Sequence, residues 1–121
     1  MTLPATKSLD LYRGDTYPLA ARLWSDPEMT APVDLSDVVP HAQLRTDPSV
    51  TPGPVPEELI LEMTCVVELP NVIHVTIDAS SWPAWAPAAA RWDLELTYPS
   101  GAVRTILAGR VRIIQDVTVA P

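Results

Sequence analysis

Two histidines, one cysteine and a scatter of loop aspartates are the residues of this sequence whose side chains could hold a metal or move a proton. His41 and His74 stand in separate alternating stretches, and neither opens a motif with metal-ligand spacing, so both read as surface histidines. Cys65 is the sole cysteine; it can make no internal disulfide and no zinc site by itself, and its apolar surroundings mark it as a core thiol. Asp15, Asp34, Asp37, Asp47 and Asp116 could gather calcium where loops meet, but they lack the dense Asp-x-Asp spacing of a dedicated loop and read as solvated turn residues. There is no nucleophile elbow, phosphate loop or paired-histidine motif. A Ser, His and Asp can still converge in space, because a triad is defined by geometry. The expectation is a non-enzymatic chain with no catalytic residues, no metal and no cofactor.

Tryptophan offers a different chemistry, that of contact. Trp24, Trp82 and Trp85 are candidates for a partner interface, since Trp is enriched at interfaces and dominates their energetics. The competing reading is structural: Trp82 and Trp85, held by Pro83 and Pro87, would plug an open end of the fold. Trp92 falls on the apolar face of an alternating run and is assigned to the core.

The elements that must position these residues are strands. The chain has 121 residues, 14 prolines, four glycines and no Phe, a composition that disfavours long helices. Its length fits one domain, residues 1–121, able to bury roughly two-thirds of its unfolded surface without staples. Fifteen acidic against eight basic residues give a formal charge of −7, which favours solubility and argues against nucleic acid as a partner. No stretch reaches the roughly 20 apolar residues that a helix needs to cross a bilayer, and the first residues lack a signal-peptide core, so synthesis in a cytoplasm without a membrane partner is expected.

Alternation defines the strands. Leu9 and Leu11 oppose Asp10 and Tyr12, then Gly14-Asp15 turns the chain. Tyr17, Leu19, Ala21 and Leu23 share a face, leaving Trp24 on the other. Residues 25–40 read as loop, with Asp34 or Ser36 able to cap a single helical turn. Ala42 and Leu44 point inward from a short strand that ends at Asp47-Pro48. Residues 47–57 form a Pro-rich connector, and residues 1–7 an N-terminal arm. Leu59, Leu61, Met63, Cys65 and Val67 make the longest alternating run; after Pro70-Asn71, Ile73, Val75 and Ile77 return. Ser80 or Ser81 could cap a helical turn containing Pro83.

The clearest stretch is residues 91–118. Trp92, Leu94, Leu96 and Tyr98 alternate with charge, Pro99-Ser100-Gly101 turns, and a second strand follows, with a bulge or bend expected at Gly109. Two registers remain open: a three-residue loop pairs Tyr98 with Ala102 and Leu96 with Arg104, while a two-residue loop pairs Leu96 with Val103. Short strands with turns every eight to twelve residues predict an all-β fold, an immunoglobulin-like antiparallel β-sandwich of seven or eight short strands.

Three fragments, LYRGDT at 11–16, PVDLSD at 32–37 and RWDLEL with YPSGAVRTILAGRVRIIQDVT after it, resemble the small β-sandwich domain of phage tail and baseplate proteins, of the actinobacteriophage tail and lactococcal baseplate type. The resemblance implies a minor tail protein of the virion that assembles with copies of itself and other virion proteins, with an indirect role in host-surface attachment. It implies structural roles for the turn at Gly14-Asp15-Thr16, for Asp34-Leu35-Ser36 and for Asp93 and Gly101. A capsid decoration protein is the alternative within that class, and a carbohydrate-binding or adhesion module lies outside it. Aligned aromatic rings on one exposed face would mark the latter.

Overall fold

The computed structural model describes residues 5–26, 28–47 and 58–114. Among the described residues, eight strands run in chain order: β1 (Ala5–Thr6), β2 (Leu9–Tyr12), β3 (Tyr17–Arg22), β4 (Val39–Thr46), β5 (Leu59–Glu68), β6 (Val72–Ile77), β7 (Ala89–Thr97) and β8 (Val103–Ile114). A 3-10 turn, Ala79–Ser81, lies between β6 and β7.

The all-β class is as the alternation predicts, and the pairing adds a correction. Strand order is β1-β8-β7-β4-β5-β6-β3, with β2 also on β8, so the eight strands form one curled sheet. Strand β5 bends the path: its first half pairs with β4 and its second half with β6. The sheet is also mixed. Strands β1 and β2 run parallel to β8, Ala5 opposite Leu107 and Leu9 opposite Val111, where an antiparallel arrangement was expected. Alternation fixes which face a residue takes but is the same for either strand direction.

One core fills the concave side, contributed by every long strand: Leu9, Leu11, Ala42, Leu44, Leu61, Ile73, Val75, Ile77, Trp92, Leu94, Leu96, Val111 and Ile113 are all buried. Leu35 joins them from a loop. Asp34 accepts hydrogen bonds from the Ser36 amide (2.9 Å) and hydroxyl (2.6 Å), a tight side-chain turn within the predicted loop that points Leu35 inward.

One open register is settled and two local expectations shift. The 98–102 hairpin takes the three-residue loop: the Tyr98 amide donates to Ala102 O at 2.9 Å and Leu96 lies opposite Arg104. Gly101 sits at φ 91°, the left-handed conformation such a loop requires. The bulge on β8 falls at Ile106, between the pairs Leu94–Leu107 and Glu95–Thr105, while Gly109 pairs regularly with Trp92. A Cβ on Gly109 would run into the Lys7 carbonyl, so this glycine admits a crossing backbone and makes no bend. On β5 a second bulge, at Ile60, turns Leu59 outward (40% exposed) and buries Ile60, reversing the predicted phase at that end.

Of the expected arm, residues 5 and 6 are strand β1 and the Lys7 amide donates to Ala108 O at 3.0 Å, because the open edge of β8 offers unpaired backbone groups. Residues 1–4 lie outside the described residues, as do residues 48–57 of the predicted connector and Asp116.

Candidate functional site

One end of the sheet is built from the β2–β3 corner and the loop that follows β6. The Asp15 amide returns to Tyr12 O at 3.1 Å, with Gly14 at φ 94° making the reversal. Across the gap, Arg13 Nη1 donates to Ala84 O at 2.7 Å and Trp82 Nε1 donates to Asp15 O at 2.9 Å. These two bonds lock the corner to the loop. The 3-10 turn starts from Asp78, whose carbonyl accepts from the Ser81 amide (3.0 Å) and hydroxyl (2.6 Å), so Ser81 closes the turn and Pro83 falls beyond it, not inside it.

This end displays aromatic surface. Tyr12, on the outward phase of β2, is 54% exposed, and Trp85, between Pro83 and Pro87, is 53% exposed. Ala86 beside it is buried and anchors the loop. Trp82 is different: half-buried, packed against the core and hydrogen-bonded, it serves the fold more than the surface. Asp15, on the same corner, and Asp78, at the start of the loop, are both exposed.

The three tryptophans are thus not brought together. Trp82 and Trp85 share one loop, whereas Trp24 lies beyond Arg22, at the opposite end of β3, half-buried and bridged to Pro32. There the Asp26 carboxylate organises the loop, accepting from the Thr30 and Ala31 amides at 3.1 and 2.8 Å and from the Thr30 hydroxyl. Tyr12 is the aromatic that reasoning from tryptophan alone left out. Its signal was present in the sequence, since it alternates with the inward Leu9 and Leu11.

The two histidines and the cysteine lie within strands, His41 on β4, His74 on β6 and Cys65 on β5. His41 lies 3.4 Å from Glu62, which also accepts from Gln43 Nε2 at 3.0 Å, and His74 lies 2.8 Å from Glu68. Each histidine meets a carboxylate of a neighbouring strand on exposed surface, a contact that cross-strand register creates and sequence spacing does not reveal. The hydrogen bond from Gln43, and then that from His41, hold the Glu62 carboxyl below its ordinary range. Burial pushes the half-buried Cys65 thiol up, away from the reactive thiolate. Among the described residues no three His, Cys, Asp or Glu side chains gather as metal ligands. Asp15, Asp34 and Asp37 are exposed and Asp47 is buried. No helix among the described residues is long and apolar enough to cross a membrane.

No protein-family model matches this chain, and no curated protein matches it. The site consists of two half-exposed aromatic rings and two exposed carboxylates, carried on a hydrogen-bonded frame. Such a surface can stack against planar groups, cover apolar area and accept hydrogen bonds.

Proposed function

We propose that the chain is a non-enzymatic structural protein of a bacteriophage virion, a minor tail protein of the tail tip or baseplate, that acts by non-covalent assembly in multiple copies. The observation that carries this reading is the exposure of Tyr12 and Trp85 together at one rigid end, a pair of residue types that supply most of the energy of protein contacts. The fragments behind the family resemblance support it. LYRGDT forms the corner beneath that end, PVDLSD forms the loop that buries Leu35, and RWDLEL is most of β7.

Mass spectrometry of purified virions, with antibody labelling under the electron microscope, tests the proposal. The expected result is the chain in virions, with label at the tail end. Label on the head shell would transfer the assignment to a capsid decoration protein, and absence from virions would end it.

The same aromatic pair also suits a glycan-binding module, since sugar rings stack on Tyr and Trp faces. Titration of the purified chain with bacterial cell-wall glycans separates the two readings. Saturable shifts of the Trp85 indole signal by NMR, in a chain missing from virions, would favour the glycan.

A further inference from the structure

Seven of the eight basic residues are arginines, and three of them form a row that only the register reveals. Arg45 on β4 lies opposite Arg91 on β7, which lies opposite Arg110 on β8. All three line one cleft of about 650 Å³ on the outer face of the sheet, together with Gln43, Asp47 and Asp93. Like charges directly opposite one another on adjacent strands oppose folding, so such a row persists where counter-charge is supplied. Asp47 and Asp93 supply part of it. Arg110, at the outer end, has no carboxylate partner among the described residues, although Arg112, two positions on, pairs with Asp10 at 3.2 Å.

We infer that the arginine cleft of one copy receives the aromatic, acidic end of a second copy of this chain, with Trp85 and Tyr12 against the guanidinium groups and Asp15 and Asp78 facing them. The inference rests on the reading that the protein works in repeated copies. Charge complementarity selects the occupant: the chain carries −7 overall, whereas three arginines against two aspartates line this cleft. Guanidinium groups stack on Trp and Tyr faces and pair with carboxylates in a forked geometry, and Arg, Trp and Tyr are the residue types enriched at interface hot spots. Cleft and aromatic end are different patches of the molecule, so the contact is heterologous and propagates into a ring or a filament.

The experiment is analytical ultracentrifugation of the full chain and of two variants, Arg110→Glu and Trp85→Ala. Both residues are exposed, and unchanged melting curves verify that each variant folds. Wild type should self-associate, and the association should weaken as salt is raised. Each variant alone should associate about tenfold or more weakly. An equimolar mixture of the two should recover a one-to-one dimer, because each variant keeps the patch that the other lacks. Failure of the mixture to dimerise, or association of either variant at the wild-type level, overturns the inference. A wild-type chain that stays monomeric at high concentration and low salt overturns it as well. If that monomer is nonetheless found in virions, the structural-protein reading survives and only the self-contact falls. If the chain associates as described but virions lack it, the contact stands and the virion reading falls.

Discussion

Trp92 Nε1 donates to the Lys7 carbonyl at 2.8 Å, a bond between residues 85 positions apart that pins the first strands to the centre of the sheet. The same carbonyl passes over Gly109, which lies opposite Trp92. A methyl group at 109 would meet backbone that has no room to move aside. Gly109→Ala should therefore displace β1 and cost about 1–3 kcal/mol. Denaturant melts read the cost, and faster amide exchange in residues 5–12 locates it. Trp92→Ala removes both the indole and the hydrogen bond and should cost about 3–5 kcal/mol.

Asn71 is 2% exposed, and its Nδ2 donates to Leu23 O at 2.8 Å while its own carbonyl accepts from the Leu23 amide at 2.9 Å. The side chain thus closes the β5–β6 turn against the end of β3. Asn71→Leu leaves the Leu23 carbonyl without this donor and should destabilise the fold by about 1–3 kcal/mol, read by chemical denaturation.

Trp82 and Trp85 should respond in opposite ways. Trp82→Asp buries a charge against the core and breaks the bond to Asp15, so the melting temperature should fall sharply. Trp85→Asp alters a side chain already half in water and should leave the melting temperature within a few degrees of wild type. Equal losses in the two variants would show that Trp85 also plugs the core.

The acidic side chains give stability a pH dependence of two signs. The Thr30 hydroxyl, then the Ala31 amide, hold the Asp26 carboxyl below its ordinary value, and the Ser36 hydroxyl, then its amide, do the same for Asp34. Both stabilise the fold when ionised, and their contribution is lost as pH falls through the depressed folded values, below about pH 4. Asp93 runs the other way. Burial and, after it, the neighbouring Glu95 raise its carboxyl, against a smaller pull from Arg45, Arg91 and His41. Ionising Asp93 therefore costs stability as pH rises above the ordinary aspartate range. Melting curves from pH 3 to 7 should show Asp26→Asn with a flatter acid limb and Asp93→Asn with a melting temperature at pH 7 at or above that of wild type.

Alternation alone located the buried faces of β2, β3, β4, β6 and β7, because a period of two commits every second side chain to the core whatever the neighbouring strand is. It failed at Leu59 and Ile60, where a bulge inserts one residue and inverts the phase, and at Leu35, whose burial comes from a side-chain turn and not from a strand. Of the candidate interface, Trp85 stands exposed as an interface residue must, while Trp82 is committed to the fold by the hydrogen bond it donates to a corner 67 residues away. Long-range bonds of this kind leave no local trace in a sequence.

What the amino-acid order determined by itself is strand content, the inward set of side chains on β2, β3, β4, β6 and β7, and the two turns at Gly14 and Gly101, all of which follow from local sterics and from apolar groups leaving water. Which strands become neighbours, and in which direction, was decided only in three dimensions. Pairing depends on how the whole set of apolar faces closes over one core, and that closure made the parallel bond of β2 to β8, the seat of Lys7 over Gly109 and the line from Arg45 through Arg91 to Arg110.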